Sequence, residues 1–342
     1  MLFFIEAGSL KKERSVKMRK YLMMLIFILV IVIESVIDWL DHNVVKRFLK
    51  PACVDKIYSI SVVVGSNECN ANCEHCGGRI LRHTALPKDR GTVKNLRFAL
   101  ALCHKYGGWA VSLTGSGEPL LSPDAITETL REIKIYADKG IIFASVNLFT
   151  NGIELVRNPK IKEYYLPLWK ELGLTSIVVS IHSVRHESNA VAYRVNPRDF
   201  PSLEKIISVI KEMNLLPRVV LLLHKGYCDS IDEYLYNLNR LKEMGVFMVT
   251  SWPLCNNDGT RNKYTPRVWE LFKIRFFLWC NCERVFNQIW GGGVYNYNGL
   301  SVRLTTYVSE HRSTNDFIRQ LVVFQDGTVA YSWFQEGFHC IK

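Results

Sequence analysis

From residue 57 onward, short β-rich apolar runs recur along the chain at Ile57–Val64, Trp109–Leu113, Ile141–Phe149, Ser176–Ile181, Arg218–Leu223 and Val246–Thr250. Between them lie segments with helical periodicity at Val93–Tyr106, Pro123–Ala137, Ile161–Leu172, Pro201–Met213 and Ile231–Met244. Strands alternating with helices predict a parallel sheet joined by right-handed crossovers. The runs are continuous rather than alternating, as expected of strands covered on both faces. An open Rossmann-like sheet and a partial barrel both satisfy this pattern.

The pattern differs at the two ends. Residues 1–20 are basic, and an uncharged run of thirteen residues follows from Tyr21 to Ile33, ending at Glu34. A span needs about 20 such residues. The expectation is a long helix over 19–48 whose apolar part packs on the main domain or a membrane surface, and Met18 is an alternative translation start. After Pro253 the alternation stops. Pro266–Gln288 reads as an aromatic-rich helix, Gly291–Gly293 as a break, and Leu300–Tyr307 and Leu321–Phe324 as strands. Gln325-Asp-Gly327 is a turn that returns the chain as a hairpin over Thr328–Trp333. The expected organisation is thus a basic arm and apolar helix over 1–50, a core over 51–256, and an α+β extension over 257–342 that closes the core or shapes a pocket.

Composition narrows the class. The 342 residues are 48% hydrophobic and 22% charged, enough for a large packed core and against global disorder. The net charge is +11, of which +4 lies in the first twenty residues. The remainder is spread along the chain and reads as a solvated basic surface. No RNA-binding motif accompanies it, so nucleic acid is not indicated. Ten cysteines in so long a chain make no dense disulfide framework, and their clustering points to a reducing, cytoplasmic setting and a metal role.

That cluster is Cys69-Asn-Ala-Asn-Cys73-Glu-His-Cys76, directly after the first strand. A structural zinc site takes four protein ligands, whereas three cysteines on a [4Fe–4S] cluster leave one iron open to a non-protein ligand. Every other predicted strand also ends in polar or glycine-rich sequence: Thr114-Gly-Ser-Gly-Glu-Pro119, Phe149-Thr-Asn-Gly152, Ser180-Ile-His-Ser183, His224-Lys-Gly and Ser251-Trp-Pro. Parallel barrels gather working residues past the C-terminal ends of their strands.

In these motifs the chain resembles the radical S-adenosylmethionine (radical SAM) superfamily over about residues 57–255. The C-x3-C-x2-C triplet is that family's signature, Gly115-Ser-Gly-Glu-Pro is similar to its Gly-Gly-Glu-Pro loop, and Thr150-Asn-Gly and Val179-Ser-Ile-His-Ser resemble its third and fourth strand endings. The resemblance implies a partial (β/α)6 TIM-like barrel. It implies a [4Fe–4S] cluster on Cys69, Cys73 and Cys76, with S-adenosylmethionine on the fourth iron. Reduction of the sulfonium would give a 5′-deoxyadenosyl radical that abstracts hydrogen from a substrate. It further implies cofactor contacts at Gly115, Gly117, Glu118, Pro119, Asn151 and Ser180, and an electron donor such as a ferredoxin or flavodoxin. The glycines would let the backbone approach the ligand, and the Glu118 carboxylate would suit its ammonium group.

One residue departs from the pattern: His75 stands where the family has an aromatic or bulky residue whose backbone reads adenine. Its backbone can serve and its ring can stack, or, in a zinc-binding module without catalysis, join the cysteines on the metal. His182 and His224, at predicted strand ends, are candidates to face a substrate, as are Arg194 and Lys225; the alternative is that they are hydrogen-bonded spectators. Cys255, Cys280, Cys282 and Cys340 lack the dense spacing of a second cluster and read as ordinary cysteines. The substrate expected is a peptide or small metabolite, in maturation or cofactor biosynthesis.

Overall fold

The computed structural model describes residues 24–25, 28–29, 56–77, 93–256, 260–287, 292–305, 317–331, 333 and 339–341. The chain divides into two compact units, 1–53 and 54–342, and the sheet belongs to the second. Its strands are β1 (Ser59–Val63), β2 (Ala110–Thr114), β3 (Ser145–Thr150), β4 (Ser176–Ile181), β5 (Leu216–Leu223), β6 (Met248–Pro253), β7 (Glu283–Asn287), β8 (Gly293–Tyr297), β9 (Leu300–Leu304), β10 (Leu321–Val323), β11 (Val329–Ala330) and β12 (His339–Ile341).

They form one sheet in the order β12-β11-β10-β1-β2-β3-β4-β5-β6-β9-β8-β7. The stretch from β10 to β9 is parallel throughout, so the six expected strands gain one parallel neighbour at each edge. Antiparallel strands continue from both: β11 and β12 beyond β10, β8 and β7 beyond β9. The outermost strands, β12 and β7, do not pair with each other among the described residues, so the barrel stays partial. The tail therefore extends the core sheet at both sides.

The helices are α1 (Val93–Lys105), α2 (Pro123–Ala137), α3 (Ile153–Arg157), α4 (Leu166–Glu171), α5 (His186–Tyr193), α6 (Leu203–Glu212), α7 (Ile231–Glu243) and α8 (Val268–Asn281). Two starts show how sequence sets them. Ser202 and Ser230 each accept a hydrogen bond from the backbone N–H three residues on, at Lys205 and Glu233, which caps α6 and α7. In α7, Tyr234, Leu238 and Leu241 recur at helical spacing and are fully buried.

Four expectations needed correcting. The third strand begins at Ser145 rather than Ile141. The segment 161–171 is a π-helical turn, Ile161–Tyr165, followed by α4. Helix α8 stops at Asn281, and the next residues form β7, because their antiparallel pairing with β8 outweighs an aromatic pattern that fits either state. Helix α5 was not anticipated: it buries Asn189, Ala190, Ala192 and Tyr193, too mixed a set to read as an apolar stripe. Of the expected helix over 19–48, Met24, Leu25, Ile28 and Leu29 are helical and the rest lies outside the described residues. No helix among the described residues is long and apolar enough to cross a membrane.

The two faces of the sheet differ. Ile60, Val62, Val111, Leu113, Leu148, Ile177, Val179, Val219, Leu221 and Val249 point to one side and share a core with helix residues such as Leu96, Leu130, Trp169, Ile206 and Leu238. By alternation, the other side carries Ser61, Ser112, Asn147, Ser176, Arg218, Thr250 and Arg303. Polar groups there satisfy one another: the Asn147 amide oxygen accepts from Ser145 Oγ at 2.8 Å, Ser176 Oγ at 2.6 Å and Arg218 Nη1 at 2.7 Å. This second face leads up to the strand ends where the site lies.

Candidate active site at the strand ends

The cysteine loop begins where β1 ends. Gly65 turns the chain with φ +75°, and a Cβ there would meet Ser122 Cβ at 2.6 Å. The loop is then held on both neighbouring strand endings. Glu68 O accepts from the Glu118 N–H at 2.8 Å, and Asn72 N donates to Tyr193 O at 2.9 Å. The Asn70 side chain accepts from Asn151 Nδ2 at 2.6 Å and donates to Glu154 Oε1 at 2.9 Å.

Gly117 is the tightest point of this contact. A Cβ on it would lie 2.0 Å from Glu68 O and 2.7 Å from Asn67 C. What approaches Gly117 so closely is thus the cysteine loop itself. At Gly115 a Cβ would press on Gly117 O and Pro119 Cγ, both at 3.1 Å.

Glu118 is buried, and its carboxylate is engaged by protein. It accepts from Leu120 N at 3.0 Å, Thr150 Oγ1 at 2.6 Å and Asn151 N at 2.8 Å. Burial raises its pKa to about 7, against the lowering effect of those hydrogen bonds. Glu118 therefore ties the loop after β2 to the end of β3, and Pro119 opens a single 3-10 turn behind it. Asn151 is similarly committed: its carbonyl oxygen accepts from Ile153 N at 3.0 Å as α3 starts.

The three cysteines are half-buried, and none of them is in a disulfide. Cys73 packs with Ala71 against Ile153, Ala190, Tyr193 and Phe200. Tyr193 is the hub of this wall. Its hydroxyl donates to Ser180 O, and burial pushes its pKa well up, with Cys73, Glu118, Cys69 and Cys76 adding to the shift through space. Of the three thiols, that of Cys73 packs against this wall.

Beside them the strand endings bring three imidazoles together. His182 follows β4 and His224 follows β5, with Nδ1 to Nδ1 at 3.1 Å. The His75 ring stands edge-on to both, with centroids at 4.4 and 4.9 Å, and Tyr264 closes the group at 5.9 Å. Burial holds both strand-end histidines in the neutral form, lowering His182 well below the usual range and His224 to about 4.

Arg194 and Lys225 fare differently. Arg194 pairs with Glu74 of the cysteine loop at 3.2 Å, and Lys263 approaches the same carboxylate at 3.4 Å. Lys225 is exposed. Sequence reasoning missed Tyr193, Asn70 and Glu74. Tyr193 lies on the unanticipated α5, while Asn70 and Glu74 sit between the cysteines and offered only polarity as a signal.

A sequence model of the Radical SAM superfamily matches residues 63–254. The chain is 31% identical to GTP 3′,8-cyclase of Aquifex aeolicus (strain VF5) over 192 residues, 56% of this chain and 54% of that protein. It therefore spans about half the length of that relative. Among solved structures, Streptococcus suis SuiB matches with a TM-score of 0.54 at 13% identity, covering 83% of this chain and 62% of the other. Native anSMEcpe with bound AdoMet and a Cp18Cys peptide matches with a TM-score of 0.53 at 13% identity, covering 82% and 75%. At such identities these structures speak for the fold alone.

Proposed function

The chain belongs to the radical SAM superfamily, whose members use a [4Fe–4S] cluster and S-adenosylmethionine, and we propose that it is an enzyme of that chemistry acting at Cys69, Cys73 and Cys76. The observation that carries this reading is the cysteine loop itself. Three half-buried thiols, none in a disulfide, lie within eight residues of one loop pinned at Glu68, Asn70 and Asn72. Soft thiolates in this number suit iron–sulfur ligation with one iron left open. When bound, the cluster and S-adenosylmethionine supply one-electron reduction of the sulfonium and, through it, hydrogen abstraction from a substrate carbon.

The chain's own residues orient and shield. Gly117 and Glu118 hold the cysteine loop against β2 and β3. Because the Glu118 carboxylate already accepts three hydrogen bonds, the backbone of Gly115–Pro119 takes the cofactor's ammonium group in this reading. Asn151 acts through Asn70 on the loop. Ser180, on the polar face at the end of β4, takes the carboxylate or a ribose hydroxyl. The His75 backbone takes the adenine edge. Ile153, Tyr193 and Phe200 keep water from the apolar side of Cys73.

For substrate we propose a peptide or small metabolite. Streptococcus suis SuiB bound to the precursor peptide SuiA shares the fold at a TM-score of 0.54, and the peptide part of this proposal is drawn by analogy with it. The net charge of +11 would suit an acidic flavin or iron–sulfur protein as electron donor. The test is anaerobic reconstitution with iron and sulfide, followed by electron paramagnetic resonance of the reduced protein. Four irons per chain and a spectrum that changes on adding S-adenosylmethionine are expected, and Cys73→Ala should lose both. Tightly bound zinc without iron would instead favour a non-catalytic metal module.

A further inference from the structure

Three histidines from separate elements meet at this rim, and the radical SAM reading does not use their rings. One ring nitrogen from each of His75, His182 and His224 lies within 4.8 Å of the other two, a grouping that no other set of described cysteine, histidine or acidic side chains reaches. Within it, the Nδ1 atoms of His182 and His224 are 3.1 Å apart. Two nitrogens each about 2.1 Å from one ion are about 3.0 Å apart at a right angle and about 3.4 Å apart at the tetrahedral angle. The pair has the spacing of a hydrogen bond between two neutral imidazoles, and the same spacing suits two ligands of one ion. His182 is fully buried, and its Nε2 has no hydrogen-bond partner among the described residues. That nitrogen points away from the Nδ1 pair, so the site rests on the convergence of the three rings and not on this atom.

We infer that His75, His182 and His224 form a site for a mononuclear divalent transition-metal ion, zinc or iron(II), beside the cysteine loop. Imidazole suits both ions, and three protein ligands leave at least one coordination position open. The trio brings no negative charge. The Glu74 carboxylate next to His75 is engaged by Arg194 and Lys263, and that of Asp229 accepts from Gly226 N at 2.7 Å. The open position accordingly takes an anionic oxygen donor, a carboxylate or phosphate of the substrate, and holds it at the end of β4 and β5. The site goes beyond the S-adenosylmethionine reading and does not depend on it.

The probe is Co²⁺. Full-length protein, reconstituted with iron and sulfide and washed with a chelator to strip mononuclear ions, is titrated anaerobically while its visible spectrum and cobalt per chain are followed. One equivalent with a nitrogen-type spectrum is expected. His182→Ala and His224→Ala should each weaken it by at least about tenfold, on the scale of a disturbed ligand shell, while keeping cluster iron and the far-ultraviolet circular dichroism of the parent. Cys73→Ala should lose cluster iron and keep the cobalt equivalent, which separates this site from the cysteine one. Should His182→Ala unfold, His224→Ala is read alone. The inference is overturned if no cobalt binds, if both histidine variants bind it as the parent does, or if binding carries thiolate charge-transfer bands and disappears in Cys73→Ala.

Discussion

Thr150 donates its hydroxyl to the buried Glu118 carboxylate at 2.6 Å, joining the loop after β2 to the end of β3 directly beneath the cysteine loop. The family motif drew attention to Glu118 as a ligand contact, but its geometry is that of a tie between strands.

This tie has a pH signature. Burial raises the Glu118 pKa from 4.5 to about 7. Between those values the unfolded chain releases this proton while the folded chain keeps it. The native state binds more protons there, so stability falls as pH rises through the window and levels off above about 7. The full effect is on the order of 3 kcal/mol. Glu118→Gln does not titrate. Thermal unfolding of both proteins from pH 5 to 8 should show the parent losing stability relative to the variant, and a relative gain would contradict the assignment.

Gly117 and Gly77 make a matched pair. A Cβ at Gly117 meets the Glu68 carbonyl oxygen at 2.0 Å, whereas one at Gly77 meets nothing within 4 Å. Gly117→Ala should displace the cysteine loop, costing about 1–3 kcal/mol and lowering the iron held after reconstitution. Gly77→Ala, adjacent to Cys76, should leave iron content and melting temperature at parental values. Iron analysis of the two variants side by side checks this.

Asn147 and Arg218 are coupled on the polar face of the sheet. Burial lowers the Arg218 pKa, and the Asn147 amide oxygen accepts from its guanidinium at 2.7 Å. Asn147→Ala leaves a mostly buried cation short of an acceptor and should cost about 3 kcal/mol. Adding Arg218→Met should recover part of that loss, because removing the charge removes the need for the acceptor. Urea unfolding of the single and double variants measures the coupling, and additive losses would show that the two side chains act independently.

The core of the fold was legible because its signals are local. Ser176–Ile181 and Pro123–Ala137 could be read to the residue from an apolar run and from a proline-initiated periodic segment. The motif at 115–119 marked the correct loop, yet not the use of its parts, because the crowding at Gly117 comes from Glu68, far away in sequence. Likewise nothing in the order of the chain says that His75, His182 and His224 meet. Each closes a different connection, and only the parallel register of β4 with β5 brings two of them together. Strand β7 was hidden for a related reason: Glu283–Asn287 becomes a strand through its pairing with β8.

Thiol reactivity separates core cysteines from accessible ones. Burial pushes the Cys103 thiol up to about 12 and Cys228 higher still, whereas Cys280 is exposed. Brief alkylation of the folded, cluster-free protein should label Cys280 and leave Cys103 and Cys228 unmodified until denaturant is added. Mass spectrometry of the digested protein reads each site, and early labelling of Cys103 would contradict its place in the core.

The most direct test of the central claim is product analysis of the anaerobically reconstituted protein given S-adenosylmethionine and dithionite. Formation of 5′-deoxyadenosine and methionine by the parent, and its loss in Cys69→Ala, Cys73→Ala and Cys76→Ala, is the predicted result. A fully reconstituted protein that yields no 5′-deoxyadenosine, or a Cys73→Ala variant that yields as much as the parent, would contradict the assignment of radical chemistry to this loop.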